Sequence, residues 1–168
     1  MKPVVPPRVS RHLLALAASA VFVCSGRPAR PETLAAAPAW TLQDTAGRTV
    51  RLADFRGQVV ILHFWATWCP PCRREVPVLA ALRDQYESAG LVVVGVSLDE
   101  DPALVTSFVK EQGINYPVVL GTPLVAVAYG GVSTLPTTFV INRDGKIVAV
   151  HESFASQAGL EAEVKPFL

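Results

Sequence analysis

Two cysteines separated by two prolines carry the chemistry that this sequence offers. The motif Cys69-Pro70-Pro71-Cys72 follows an apolar run and opens a segment of helical pattern, and a C-x-x-C in that context is typical of proteins that exchange thiols and disulfides. At a helix N-terminus, unpaired backbone N–H groups and the positive end of the helix dipole favour the Cys69 thiolate over the thiol. The thiolate is the nucleophile of disulfide exchange. Cys72, one turn further on, can then displace a partner bound to Cys69.

The two prolines limit how strongly that thiolate is stabilised. Pro70 and Pro71 suit the first helical turn, where the N–H groups that they lack would have no partner. For the same reason neither can donate a hydrogen bond to the sulfur of Cys69, and chiefly the amide of Cys72 is left to do so. We therefore expect moderate thiolate stabilisation and a reducing rather than an oxidising protein.

Other uses of the cysteine pair fit less well. A static disulfide across two residues closes a very small loop and adds little stability. A zinc site needs about four ligands, and no second pair of Cys or His with suitable spacing is present. Haem attachment needs His directly after the second cysteine, where this chain has Arg73. We expect no metal and no cofactor.

The elements that must position the cysteines alternate between strand and helix. Nearly continuous apolar runs at residues 58–65 and 91–96 predict strands covered on both faces, and Pro70 to Ala89 predicts a helix that stops at Gly90. Such a unit implies parallel strands joined by a right-handed crossover. The remaining predicted elements are an N-terminal β-hairpin at 40–52, helices at 102–112 and 124–129, strands at 118–120, 138–142 and 146–150, and a weak helix from Gln157. Together they predict an α/β sandwich with a mixed central sheet.

Residues 1–26 have the three-part pattern of an export signal. Basic residues come first, an apolar run over 13–24 follows, and the small residues Ser25 and Gly26 come last. The run of about a dozen residues is shorter than the roughly 20 that a transmembrane helix needs. We therefore predict a periplasmic or other extracytoplasmic protein whose leader is either an export signal or a short membrane anchor.

The fate of this leader stays open. Cleavage after Gly26 or after Ala20, an uncleaved membrane tether and a lipid on Cys24 are the alternatives. Val23 fits lipidation poorly, because the residue before a lipidated cysteine is normally smaller.

The length and charge of the chain limit the number of domains and the kinds of partner that it can have. Its 168 residues fit about one domain, and we assign residues 27–38, rich in Pro and Ala, to a tether and residues 39–168 to the globular domain. Charged residues make up 17% of the chain and the net charge is +1, so a nucleic-acid surface is not expected. We expect a monomer.

Two segments resemble one known family. The stretch from Phe64 to Pro77, FWATWCPPCRREVP, resembles the active-site signature of TlpA/ResA-type thioredoxin-like proteins, which are related to the redoxins, and Leu135-Pro136-Thr137-Thr138-Phe139 resembles their cis-proline segment. The resemblance implies a thioredoxin-like three-layer α/β/α sandwich. Members are typically reductases that keep cysteines reduced in exported partners, such as apocytochromes c during cytochrome c maturation or copper-site proteins. They draw electrons from a membrane thiol–disulfide transporter.

The resemblance also implies roles for residues around the cysteines. Pro136 would follow a cis peptide bond and lie against Cys69, and Leu135 would offer its backbone to the substrate chain. Trp68 would cover the disulfide, and together with Pro70 it would contact the substrate. From base rates alone a cis X-Pro bond is rare, so this assignment rests on the resemblance.

Two further polar residues stand close to the motif in sequence. Glu75 matches an acidic residue that family members use near the cysteines, where it would handle the proton of Cys72; the alternative is a solvated helix glutamate. His63 departs from the family, since thioredoxins place a buried Asp there and TlpA-like proteins commonly place Asn. It is a candidate modulator, either as a base for Cys72 or as a core histidine without a role in catalysis.

Three other functions compete with reduction. A peroxidase of the peroxiredoxin type would want Pro and Thr where this chain has Leu62 and Ala66. A Sco-like copper-binding module spaces its cysteines by three residues and adds a histidine. A disulfide oxidase or isomerase would use the same cysteines in the opposite direction, and only the reduction potential separates it from a reductase.

Overall fold

The described residues form seven strands and four α-helices. The computed structural model describes Met1 and residues 35–168, so the predicted leader, Cys24 and most of the predicted tether lie outside the described residues. The strands are β1 (Thr41–Asp44), β2 (Thr49–Arg51), β3 (Val59–Trp65), β4 (Leu91–Ser97), β5 (Val118–Leu120), β6 (Thr137–Ile141) and β7 (Ile147–His151). The helices are α1 (Pro70–Tyr86), α2 (Pro102–Glu111), α3 (Pro123–Ala128) and α4 (Gln157–Val164). Within the described residues, no helix is both long and apolar enough to cross a membrane.

The strands form one mixed sheet in the order β2-β1-β5-β4-β3-β6-β7. Strands β3, β4 and β5 run parallel to one another, while β1 pairs with β2 and β5, and β6 pairs with β3 and β7, all antiparallel. Two successive steps in one direction, β3 to β4 and β4 to β5, place both crossover helices on the same face when the crossovers are right-handed. The predicted α/β fold with an N-terminal hairpin is confirmed.

The central strand β3 explains the three layers. All seven of its residues are buried, because helices or loops cover both faces of the sheet. Ile61 and Trp65 belong to the core shared with α1, α2 and α4, whereas Leu62 and Phe64 belong to the core on the side of α3. Successive side chains of a strand point to opposite faces, so the cysteine-bearing helix packs on the Ile61 and Trp65 face.

The end of helix α1 and the start of the globular domain differ slightly from the prediction. Helix α1 ends at Tyr86, and the last three residues of the predicted helix form a 3₁₀ turn that closes at Gly90, whose φ of 93° favours glycine. Residues 35–38, which the sequence assigns to the tether, run against the sheet: Ala36 pairs with Lys146, and the amide of Ala37 donates to the carbonyl of Gly145 at 2.9 Å.

Arg143 joins three loops through its guanidinium group. It donates to the carbonyl oxygens of Phe167 at 2.9 Å, Gly57 at 2.8 Å and Ala89 at 2.8 Å. Replacing Arg143 with Ala is expected to lower the free energy of unfolding by about 1 to 3 kcal/mol, because hydrogen bonds from a charged donor are lost. Urea unfolding measures this, with Arg143→Lys as a control that keeps the charge and fewer of the bonds. A change below about 0.5 kcal/mol for the Ala variant, the range of ordinary surface substitutions, would contradict it.

Candidate active site

Both cysteines lie in the first turn of α1, directly after the buried strand β3. Cys69 is the N-cap residue, and the backbone amide of Cys72 donates to its sulfur at 3.3 Å. Pro70 and Pro71 occupy the next two positions, and neither can donate. The geometry therefore agrees with the expectation that the amide of Cys72 is the donor left for this sulfur.

The two sulfurs differ in depth. They are joined by a disulfide with an Sγ–Sγ distance of 2.05 Å. Cys69 keeps 3% of its surface exposed, whereas Cys72 is fully buried. Cys69 is thus placed to meet a partner from solvent, and Cys72 is placed to act behind it.

A carboxylate fixes the loop between β3 and Cys69. Asp99 accepts hydrogen bonds from the amide of Thr67 at 2.9 Å, from the hydroxyl of Thr67 at 2.6 Å and from the hydroxyl of Ser97 at 2.7 Å. Ser97 ends β4, the parallel neighbour of β3, so these bonds hold the residues just before Cys69 against the end of β4. Sequence reasoning missed this contact; its signal is polar residues at the carboxyl ends of adjacent parallel strands.

A groove runs past the disulfide. One wall is formed by Trp68, Cys69 and the two prolines, and the other residues that line it are Leu98, Val132, Ser133, Thr134 and Leu135. The peptide bond between Leu135 and Pro136 is cis, as the family resemblance implies, and Pro136 is buried. Trp68 keeps 67% of its surface exposed. It is therefore a wall of the groove and not part of the core.

Between β3, β6 and α1 lies a buried polar cluster formed by His63, Thr138 and Glu75, all fully buried. The hydroxyl of Thr138 donates to Glu75 Oε1 at 2.8 Å, and the amide of Ala155 donates to Oε2 at 3.2 Å. His63 Nδ1 lies 3.0 Å from Thr138 Oγ1 and 3.4 Å from Glu75 Oε1. The alternative of a solvated helix glutamate at residue 75 is therefore wrong.

The hydrogen bonds of the cluster decide its protonation. Burial opposes ionisation of Glu75, but the hydrogen bonds from His63, Thr138 and Ala155 outweigh it and hold the pKa of this carboxyl below its ordinary value. Since the one hydroxyl proton of Thr138 goes to Glu75, Thr138 Oγ1 must accept from His63. His63 therefore carries a proton on Nδ1. Its Nε2 has no hydrogen-bond partner among residues 35–168.

The sequence predicted some members of this site and not others. Cys69, Pro70, Trp68 and Leu135 do come together at the groove. Thr138 belongs to the predicted cis-proline segment, but the sequence predicts no role for it, because its contact with His63 depends on the antiparallel register of β6 on β3. That register cannot be read from a single strand.

Comparison with known proteins places the chain in a family. Residues 34–150 match the model of the AhpC/TSA family, which is more than half of the chain. The chain belongs to the AhpC/TSA family. The chain is 43% identical over 114 residues to the thiol-disulfide oxidoreductase ResA of Bacillus subtilis (strain 168), and this match covers 68% of this chain and 64% of that protein. The chain thus spans slightly less than two thirds of that relative's length.

Three further similar proteins extend the comparison. ResA of Bacillus thuringiensis subsp. konkukian is 33% identical over 129 residues, which is 77% of this chain and 75% of that protein. A solved thiol:disulfide interchange protein of the thioredoxin family from Chlorobium tepidum superposes with a TM-score of 0.74 at 34% identity, covering 84% of this chain and 99% of that chain. A secreted thiol-disulfide isomerase from Corynebacterium glutamicum gives 0.72 at 28% identity, covering 77% and 83%. The resemblance to ResA-type proteins and the thioredoxin-like fold are confirmed.

Proposed function

We propose that this AhpC/TSA family member is an extracytoplasmic thiol–disulfide oxidoreductase that reduces disulfides of exported partner proteins. The observation that carries the proposal is the placement of Cys69 at the N-cap of α1, with one amide donor at 3.3 Å and the buried Cys72 behind it. The names of the ResA relatives support the reaction class. Apocytochromes c and copper-site proteins are the partners that fit the family, with a membrane thiol–disulfide protein as electron donor.

The reaction takes two exchanges. The Cys69 thiolate attacks one sulfur of the partner's disulfide, forms a mixed disulfide and releases the partner's other sulfur as a thiolate. Cys72 then loses its proton and attacks Cys69, which forms the Cys69–Cys72 disulfide seen in the structure and releases the partner's second thiolate. Two electrons pass to the partner, and a donor dithiol must return them to the protein.

The groove beside Cys69 gives the partner chain a place to lie. Leu135 lies in this groove together with Trp68 and Pro70, so the partner's main chain can approach Cys69 there. Thioredoxin-fold proteins act on extended segments, and an extended chain needs such an open cleft more than an enclosed cavity. In the proposal the leader exports the domain, and the domain acts as a monomer.

The reduction potential tests the direction of the reaction. Equilibration of the purified chain with glutathione is expected to give a value near the roughly -270 mV of thioredoxin, and a value near the roughly -120 mV of DsbA would instead support an oxidase. The oxidase or isomerase is the second candidate, because a secreted thiol-disulfide isomerase is among the similar solved structures.

A titration with chelated copper separates the reductase and the oxidase or isomerase from a Sco-like copper-binding module. We expect it to show no uptake of copper.

Replacing Pro70 with His is expected to raise the reduction potential, which makes the protein less reducing. The replacement restores an N–H group near the Cys69 sulfur and adds an imidazole, and both stabilise the thiolate of the reduced form. Pro70→Ala is the matched control, since it restores the N–H group without the ring and is expected to give a smaller rise. Glutathione equilibrium measures all three proteins, and an unchanged or lower potential in Pro70→His would contradict the role given to the prolines.

A further inference from the structure

The burial of Cys72 raises the question of where its proton goes. In the second exchange Cys72 must become a thiolate before it attacks Cys69. Its side chain is fully buried in the oxidised structure, so water does not reach the sulfur directly. The proton needs an acceptor inside the protein, in the layer between β3 and α1.

Few groups face this layer. Helix α1 contributes Glu75, three residues after Cys72 and on the same helix face. Gly95 of β4, which pairs with His63, has no side chain. The other groups are His63 of β3, Thr138 of β6, the amide of Ala155 before α4, and Tyr116 before β5, close enough for Glu75 to influence it.

Two of these groups are poor bases. Burial and the charge of Glu75 raise the pKa of Tyr116 well above its ordinary value, so its hydroxyl keeps its proton. Glu75 has both carboxylate oxygens occupied by donors, Oε1 by Thr138 and Oε2 by Ala155. Those bonds hold the pKa of Glu75 low, and a carboxylate with a low pKa has little tendency to take a proton from a thiol.

Among the buried side-chain atoms that lack a hydrogen-bond partner within residues 35–168, His63 Nε2 is the one that can accept a proton, since the others are indole N–H groups. His63 Nδ1 carries a proton that points to Thr138 and Glu75, so Nε2 is the ring nitrogen that is left to accept a proton. That atom is fully buried and has no partner among residues 35–168. A buried acceptor without a partner costs about 1 to 3 kcal/mol, and reduction of the disulfide adds a donor, the Cys72 thiol, to the same layer.

We propose that His63 Nε2 is the base that takes the proton of Cys72, directly or through one water molecule, and that Glu75 acts as the counter-charge and not as the proton acceptor. The proposal rests on the proposed function, because it concerns the second exchange of that reaction. The proton moves from the Cys72 sulfur to Nε2. The electron pair left on that sulfur then forms the bond to Cys69 Sγ. The bond between Cys69 and the partner breaks at the same time and releases the partner's thiolate. The partner's thiolate or solvent then takes the proton from the imidazolium.

The buried polar cluster suits the imidazolium. An ionised Glu75 lies 3.4 Å from Nδ1 and becomes the partner of a charged ring as soon as Nε2 is protonated. Thr138, between them, holds the ring with Nδ1 as the donor. A carboxylate that orients a histidine and stabilises its charged form is the arrangement that makes histidine an effective base.

A two-phase reaction with DTNB separates the two exchanges. Attack of Cys69 on DTNB releases a first equivalent of coloured thiolate, and attack of Cys72 on the resulting mixed disulfide releases a second. Every protein carries Cys24→Ser, so that the third cysteine does not react. In His63→Asn we expect the second phase to slow about 10- to 100-fold near neutral pH, the low end of general-base effects, and the first phase to change less than about twofold.

The pH profile and two further variants complete the test. Without a base, the second phase of His63→Asn should rise about tenfold per pH unit below the pKa of a thiol, more steeply than that of the parent protein. Glu75→Gln should slow the second phase less than His63→Asn. His151→Asn, which alters a histidine bound to Glu163 at the surface, should leave both phases unchanged.

Different outcomes would contradict the role of His63 and the proposed function. A second phase in His63→Asn within twofold of the parent with the same pH slope, or a larger loss in Glu75→Gln than in His63→Asn, would overturn the role of His63. A first phase no faster than that of a free thiol would instead overturn the proposed function. Nitrogen-15 spectra of the unaltered protein give a readout that does not depend on folding of a variant: a proton on Nδ1 and none on Nε2 at neutral pH supports the proposal, and the reverse tautomer overturns it.

Discussion

Replacing Cys69 with Ser is expected to lower disulfide reductase activity by about a thousandfold or more. A serine hydroxyl at this N-cap stays protonated at neutral pH and forms no mixed disulfide, so the first exchange has no nucleophile. Turbidity from reduction of insulin, with dithiothreitol kept too low to react by itself, measures this activity. The first phase of the DTNB reaction should disappear in the same variant.

Replacing Cys72 with Ser should have a different result, although the turnover rate also falls. Cys69 still attacks, but nothing buried behind it can release the partner, so a mixed disulfide accumulates. Trapped partners can then be separated without reducing agent and identified by mass spectrometry. Cys24→Ser is the matched control and should keep full activity in solution. If Cys69→Ser retained more than about a tenth of the parent activity, or if Cys72→Ser captured no partner, the assignment of the two roles would be wrong.

Replacing Glu75 with Leu is expected to lower the free energy of unfolding by about 3 kcal/mol or more. The change leaves the hydroxyl of Thr138 and the amide of Ala155 without their carboxylate acceptor, and each buried donor left unpaired costs about 1 to 3 kcal/mol. That is a large part of the roughly 5 to 15 kcal/mol typical of a domain. Urea unfolding of the oxidised protein measures the loss. Glu75→Gln, which keeps the shape and one acceptor oxygen, should lose less.

The same carboxyl predicts a dependence of stability on pH. Because the pKa of Glu75 in the folded protein lies below its ordinary value of 4.5, ionised Glu75 contributes stability that is fully present above about pH 4.5 and is lost as pH falls through the lower folded value. The difference in unfolding free energy between the parent and Glu75→Gln should therefore narrow as the pH falls below 4.5. A difference that stays constant down to pH 3 would show that folding does not lower the pKa of Glu75.

Local patterns were enough to predict the elements that carry the chemistry. The apolar run of β3 and the C-x-x-C after it are short-range signals, and the helix that follows needs only its own periodicity. The same periodicity also indicates that Glu75 is buried. On α1 the buried residues Cys72, Val76 and Leu79 define a stripe at helical spacing, and Glu75 lies on the same stripe.

What the sequence did not give are the contacts between distant elements. His63 meets Thr138 only because β6 pairs with β3 in one register, and a shift of one residue would turn Thr138 to the other face. Asp99 reaches Thr67 because β4 lies beside β3. The order of strands in a sheet follows from packing of the whole chain, so the sequence patterns of separate segments do not predict it.

The proposed reaction depends most on a Cys69 that is ionised at neutral pH. Its most direct test is the rate at which iodoacetamide alkylates Cys69 in the reduced, folded chain at pH 7. Mass spectrometry of the peptide that contains Cys69 measures this rate. The comparison is the alkylation rate of the same residue in the chain unfolded by urea. A free cysteine is only a few per cent thiolate at this pH, so the folded protein should react at least about fivefold faster. A rate equal to or below that of the unfolded chain would contradict the account.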